Sequence, residues 1–213
     1  MARAAVDGWA RMLNRYARAF FAKLFAPVAA ELLRRGISPD AVTIFGTIGL
    51  LVGGLVLYPM GELFWGSALM GAMAFTDLLD GNMARQSGRS SPWGAFLDSS
   101  MDRIGDAAIF GGLVLYFAGR GDDFVDAYLA LVCLVLGFVT SYVKARAESL
   151  GLRCEGGIAE RADRMVVILV ATGLVGLFLP AWVLTLVMSL LAAASAFTVA
   201  QRVAMVHAQT RPS

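Results

Sequence analysis

The sequence predicts an all-α membrane protein with six transmembrane helices, preceded by an amphipathic helix in the membrane interface. Of its 213 residues, 58% are hydrophobic and only 16% are charged, and the mean hydropathy is +0.69. A soluble domain carries about a quarter charged residues, so this composition points to lipid as the solvent. The chain has a single histidine, His207, which excludes histidine-based metal or triad chemistry. Its two cysteines exclude a disulfide framework.

The chain divides into a juxtamembrane segment, residues 1–36, and a membrane domain, residues 37–213. In the first segment a stripe of large apolar residues recurs every three or four positions: Trp9, Leu13, Tyr16, Phe20 and Leu24. The arginines lie mostly off this stripe. This pattern predicts a helix in the cytoplasmic interface, with membrane lipids rather than nucleic acid as the partner of its cations.

Uncharged runs predict the six spans. Residues 41–59 contain no charge, and neither do residues 165–201. The second run would form a helix of about 55 Å, so we expect it to fold back at Pro180. Two shorter runs reach spanning length only if their helices continue through neighbouring acidic stretches. The predicted spans are 41–60, 62–86, 94–118, 124–148, 161–179 and 181–205.

Basic residues give the orientation. Every lysine and arginine except Arg120 falls on one side of the predicted spans, together with both termini. The positive-inside rule then places the termini and the acidic stretches on the cytoplasmic side of the cell membrane.

Four aspartates form a regular constellation at this side. Asp77 and Asp80 are three residues apart, Asp98 and Asp102 are four apart, and each pair therefore shares one helix face. A turn rich in Gly, Ser and Pro makes the two helices antiparallel neighbours, so the faces can meet. Converging carboxylates need compensating charge, and an all-oxygen set suits two Mg²⁺ or Mn²⁺ ions. The alternative is a set of acids that merely face water at helix ends.

The spacing Asp77-x2-Asp80-Gly81-x2-Ala84-Arg85-x8-Gly94-x3-Asp98-x3-Asp102 matches every fixed position of a known signature. In this respect the sequence resembles the CDP-alcohol phosphotransferases. The resemblance implies six helices around the site, a homodimer, and two Mg²⁺ or Mn²⁺ ions. It also implies CDP-diacylglycerol as a substrate, attacked in line by the hydroxyl of an alcohol with release of CMP.

The same resemblance implies roles for individual residues. Asp77 and Asp98 would bridge both ions and Asp80 would complete one site. Asp102 would ligate the other ion and act as the catalytic base. The residues implied to contact the CDP-lipid are Asp40, Ala41, Val42, Thr43, Gly81, Arg85 and Ser91, and the first four are expected to form a turn that opens the first span.

The acceptor is less constrained by the sequence. Basic residues at helix ends on the acidic side suit a phosphorylated acceptor, or else lipid headgroups: Lys144, Arg161, Arg164 and Arg202. The runs 141–152 and 156–164 resemble the branch of the family that takes inositol phosphate, and this implies that these four cations bind its phosphate. Spacing alone leaves glycerol phosphate open as the acceptor, as in phosphatidylglycerophosphate synthases. A cation transporter with the acids as ligands is the alternative from another class.

Overall fold

The computed structural model describes residues 24–88, 91–154, 156–158 and 160–210. In this part of the chain the regular structure is helical throughout, which confirms the all-α prediction. The helices are α1 (24–34), α2 (Pro39–Val52), α3 (Leu63–Ala74), α4 (Thr76–Gln86), α5 (Pro92–Ala118), α6 (Phe124–Ser149), α7 (Arg161–Leu177) and α8 (Trp182–Gln209). A π-helical turn, Gly53–Leu57, continues α2. The predicted amphipathic stripe lies outside the described residues except for Leu24, which is in α1.

Among the described residues, three helical segments are long and apolar enough to cross a membrane: Pro39–Leu57, Phe124–Ser149 and Trp182–Gln209. Large apolar side chains on these segments face outward, among them Phe45, Tyr128 and Leu190. Extended apolar surface of this kind is typical of contact with lipid, and the chain is therefore a membrane protein. The other three predicted spans remain predictions.

The predicted span 62–86 is not one regular helix. α3 ends at Ala74 and α4 begins at Thr76, so the helix is interrupted at Phe75. The Thr76 hydroxyl donates a hydrogen bond to the Met73 carbonyl at 2.6 Å, a local bond that competes with regular helical pairing. The acidic residues Asp77 and Asp80 therefore belong to a short helix of their own.

The chain forms two compact units. The first contains the described residues up to Gly46 together with Ala72–Met101. Its core is built from Ala29, Val42 and Met83, with Leu32, Leu33 and Leu79 packed against them. This unit carries Asp77, Asp80 and Asp98.

The second unit contains Thr47–Gly71 and the described residues from Asp102 onward. Within it α8 packs against α6 and α7, and the Cys133 thiol donates to the Met188 carbonyl at 3.2 Å. Tyr58 and Ser67 share a buried hydrogen bond of 2.7 Å. This unit carries Asp102 and the basic residues of α6, α7 and α8.

Gly54 and Gly112 bring two backbones of the second unit into close contact. A methyl group on Gly112 would overlap the carbonyl oxygen of Gly54 and would lie 3.0 Å from the Gly54 Cα. Side-chain rotation cannot relieve an overlap with backbone. We expect Gly112→Ala to lower the free energy of unfolding by about 1–3 kcal/mol, seen as a lower Tm in detergent.

Gly111→Ala is the matched control for this substitution. A methyl group at Gly111 would meet nothing closer than Leu55, at 3.9 Å. Equal Tm values for the two variants would contradict the close approach at Gly112.

Candidate active site

Three of the predicted ligands lie together in the first unit. Asp80 is buried in α4 and accepts a short hydrogen bond from the hydroxyl of Thr43 in α2. Asp77, on the same helix, and Asp98, at the exposed start of α5, are close enough to Asp80 to repel its negative charge. The helix faces that carry these acids therefore concentrate negative charge around a buried carboxylate.

The donor set fits a hard divalent cation. Among the described residues no three His, Cys, Asp or Glu side chains are close enough to form a complete cage. Mg²⁺, however, is usually held by one or two carboxylates together with water and the phosphate oxygens of a substrate. A buried carboxylate beside two like charges costs free energy that a bound cation would offset.

The segment predicted to contact the CDP-lipid begins a helix. Asp40 to Thr43 form the first helical turn of α2, so the turn that opens the first apolar segment is helical. Asp40 accepts a hydrogen bond from the Trp93 indole at 3.1 Å, and Thr43 binds Asp80. The Val42 side chain is buried in the core of the unit, whereas Ala41 is exposed. Pro39 supplies the helix start, because its fixed φ suits a first turn.

Gly81 and Arg85 are neighbours on α4. A methyl group on Gly81 would lie 3.6 Å from Arg85 Nη1, so the exposed guanidinium extends over this position. Ser91 has a structural role: its hydroxyl accepts a hydrogen bond from Gly94 N at 3.0 Å and caps the start of α5. Between α4 and α5, Gly88 adopts a φ of 63°, which agrees with the predicted turn.

The second unit contains an arginine cluster, which we define as Arg103, Arg161, Arg164 and Arg202. Arg161 bridges two acids of α5: its Nη1 lies 2.8 Å from Asp102 Oδ1 and its Nε lies 3.0 Å from Asp106 Oδ1. Arg103 places Nη1 3.1 Å from Asp106 Oδ2 and also contacts the Ser141 hydroxyl of α6. The proposed base Asp102 is thus paired with a cation from α7.

Arg164 is the most deeply buried member of the cluster, with 3% of its surface exposed. Its Nη2 lies 3.9 Å from Asp106 Oδ2, and its guanidinium packs over Gly137 of α6. Its Nη1 is buried and has no hydrogen-bond partner among the residues that the structure describes. A buried cation with an unused donor is costly unless an anion binds it.

The remaining two predicted acceptor ligands are engaged elsewhere. Arg202 donates from Nη1 to the Thr140 carbonyl at 2.7 Å and from Nε and Nη2 to the Gly156 carbonyl at 3.1 and 3.0 Å. It therefore fastens the loop before α7 to α6. Lys144 is exposed, with its Nζ 3.8 Å from Glu148.

Sequence reasoning assigned no role to Asp106 or to Arg103. Asp106 is 3% exposed and is shared by arginines from two helices. The available signal was its position four residues after Asp102, which continues the acidic face of α5 by one turn.

The chain belongs to the CDP-alcohol phosphatidyltransferase family, whose model matches residues 36–153. It is thus an enzyme of this family. The chain is 56% identical over 167 residues to the phosphatidylinositol phosphate synthase of Streptomyces avermitilis, covering 78% of this chain and 68% of the relative. It is 50% identical over 198 residues to the enzyme of the same name from Cutibacterium acnes, covering 89% and 95%.

Solved structures of the Mycobacterium tuberculosis phosphatidylinositol phosphate synthase have the same fold. The form with CDP-DAG bound matches with a TM-score of 0.84 and 41% identity, covering 90% of this chain and 99% of that one. The complex with manganese and citrate matches with a TM-score of 0.81 and 41% identity, covering 89% and 93%.

Proposed function

We propose that this chain transfers the phosphatidyl group of CDP-diacylglycerol to a hydroxyl of inositol phosphate, forming phosphatidylinositol phosphate and CMP. Family membership supports the reaction and argues against a cation transporter. Relatives named phosphatidylinositol phosphate synthase support the acceptor. The observation that carries the proposal is the buried Arg164, whose unused donor lies in a cluster of arginines suited to a phosphate.

We further propose that Asp77, Asp80, Asp98 and Asp102 hold two divalent cations, Mg²⁺ or Mn²⁺. Bound there, the ions would stabilise negative charge on the phosphoryl oxygens and on departing CMP. The charge concentrated around Asp80 supports this assignment, and so does the one-turn spacing of Asp98 and Asp102 on α5. A solved relative in complex with manganese also supports it.

Side chains of this protein would carry out the remaining steps. Thr43 fixes the orientation of Asp80, and Arg161 orients Asp102. Asp102 accepts the proton of the acceptor hydroxyl. The hydroxyl oxygen forms a bond to the β-phosphorus, and the bond between this phosphorus and CMP breaks. The protein supplies no nucleophile, so one displacement completes the transfer. The CDP-lipid contacts we propose are Asp40, Ala41, Val42, Thr43, Gly81, Arg85 and Ser91, and the acceptor-phosphate contacts are Lys144, Arg161, Arg164 and Arg202.

We propose six membrane spans, a homodimer, and a site that faces the cytoplasm from the cell membrane. The distribution of lysine and arginine supports this orientation. In the part of the chain that the structure describes, three apolar helices are long enough to cross a membrane, and they support the span count in part.

The acceptor is tested with purified protein, CDP-diacylglycerol and Mg²⁺, with CMP release as the readout. Inositol phosphate, free inositol and glycerol 3-phosphate are supplied in separate reactions. We expect release with inositol phosphate only, loss of release with EDTA, and recovery with excess Mg²⁺ or Mn²⁺. Release with glycerol 3-phosphate alone would instead identify a phosphatidylglycerophosphate synthase, and release that survives chelation would contradict the metal site.

A further inference from the structure

We propose that Asp106 is a positioning residue that holds the arginine cluster in the geometry required by the acceptor phosphate. This inference rests on the proposed function of the cluster. Asp106 lies on α5, one turn beyond Asp102, and its carboxylate is buried between α5 and α7.

The Asp106 carboxylate organises guanidinium groups from two helices. Oδ1 receives Nε of Arg161 at 3.0 Å, and Oδ2 faces Nη1 of Arg103 at 3.1 Å and Nη2 of Arg164 at 3.9 Å. Each of these three arginines thereby directs a nitrogen to Asp106. For Arg164 this leaves Nη1 as a buried donor without a hydrogen-bond partner among the described residues.

The charges around Asp106 explain why a carboxylate is needed. Arg103, Arg161 and Arg202 all act electrostatically on Arg164, so three further cations lie near this buried arginine. Asp102 and Asp106 form ion pairs with members of this cluster. A concentration of guanidinium groups around a buried arginine suits an anionic ligand such as a phosphate.

Removal of the Asp106 charge would have two opposing effects. A more positive cluster would attract phosphate more strongly, whereas arginines without their common partner would repel one another and turn away. Bidentate recognition depends on the orientation of the planar guanidinium groups, and misplacement by about 1 Å costs as much as a hundredfold. We therefore expect loss of geometry to outweigh the gain in charge. Arg161 would also lose the partner of its Nε, whereas its contacts to Asp102 would remain.

The test is steady-state kinetics of Asp106→Asn with inositol phosphate and CDP-diacylglycerol varied separately. We expect the KM for inositol phosphate to rise about tenfold, the size usual when the outer partner of a binding group is lost. The KM for CDP-diacylglycerol and kcat are expected to stay within about threefold of wild type. Asp106→Glu, which keeps the charge, is expected to recover part of the acceptor affinity.

Asp126→Asn is the matched control. Asp126 is also a buried aspartate of the second unit, and its carboxylate accepts a hydrogen bond from Thr185 at 2.9 Å. It lies in the first turn of α6, about 22 Å along that helix from Ser141, which contacts the arginine cluster through Arg103. We expect it to change Tm without changing the KM for inositol phosphate. This control separates a general loss of stability from a loss of arginine positioning.

The possible outcomes are distinct. An acceptor KM that falls or stays constant in Asp106→Asn would overturn the inference, and so would equal increases for both substrates. If Asp106→Asn does not fold, Asp106→Glu decides, because its longer side chain keeps the charge but displaces the guanidinium groups. A selective rise in the KM for inositol phosphate would support the inference, and a wild-type KM would overturn it. A wild-type protein inactive with inositol phosphate would contradict the proposed function instead.

Discussion

Asp102→Asn is expected to lower kcat about a thousandfold, within the range that a general base contributes. The asparagine amide cannot accept the proton of the acceptor hydroxyl. It has nearly the same size as the carboxylate, which lies 2.8 Å from Arg161 in the wild-type protein, and its oxygen can still accept a hydrogen bond from that arginine. CDP-diacylglycerol binding is expected to survive, because Asp77, Asp80 and Asp98 are unchanged. Initial rates of CMP release at saturating substrates and a separate CDP-lipid binding assay measure the two effects.

Asp163→Asn is the control for this substitution. Asp163 is exposed in the first turn of α7, so the same chemical change is made outside the proposed machinery. Its turnover is expected to match wild type within about twofold, as for most exposed substitutions. Near-normal turnover of Asp102→Asn would remove Asp102 as the base. Parallel loss of lipid binding would show that its principal role is ligation.

The acids of α4 and α5 could be predicted because their pattern is local. Residues three or four apart share a helix face wherever the helix lies, so the spacing of Asp77 with Asp80 carries structural information by itself. The structure places Asp98 within electrostatic range of Asp80, and both belong to the first unit. The role of each acid, in contrast, came from resemblance to a family and not from spacing.

The partners of the arginines could not be predicted, because they depend on which helices are neighbours. Arg161 and Asp106 are 55 positions apart in the chain, and no periodic pattern reports a pairing over that separation. The sequence therefore predicted Arg161 as a phosphate ligand, whereas in the structure it forms ion pairs with Asp102 and Asp106. Arg202 is a similar case, since its contacts to backbone carbonyls of Thr140 and Gly156 give it a structural task.

The interruption at Phe75 was missed for a different reason. Hydropathy measures how much apolar sequence is available, but it does not report helical regularity within a run. The Thr76 hydroxyl donates a hydrogen bond to the backbone carbonyl three residues earlier, in competition with regular helical pairing. The difference in free energy between these two local arrangements is small. Composition therefore predicted the class of fold, while packing and local hydrogen bonds determined where the helices end.

Arg164→Gln is expected to raise the KM for inositol phosphate about thirtyfold to a hundredfold. A hydrogen bond to a charged group contributes about 1.5–3 kcal/mol, and a tenfold change in affinity corresponds to about 1.4 kcal/mol. The KM for CDP-diacylglycerol is expected to stay within about twofold, because the proposed lipid contacts are carried by other residues. The substitution leaves Asp106 paired with Arg103 and Arg161, so it does not strand a buried carboxylate.

Two further glutamine substitutions test whether burial decides this effect. Arg146 is exposed near the end of α6 and bonds to Ser149, so Arg146→Gln is expected to leave the acceptor KM unchanged. Lys144→Gln is expected to give a smaller rise than Arg164→Gln, because Lys144 is exposed and paired with Glu148. Equal acceptor KM values for Arg164→Gln and Arg146→Gln would mean that these cations serve lipid headgroups. A graded series would instead show that the buried guanidinium of Arg164 is the one that recognises phosphate.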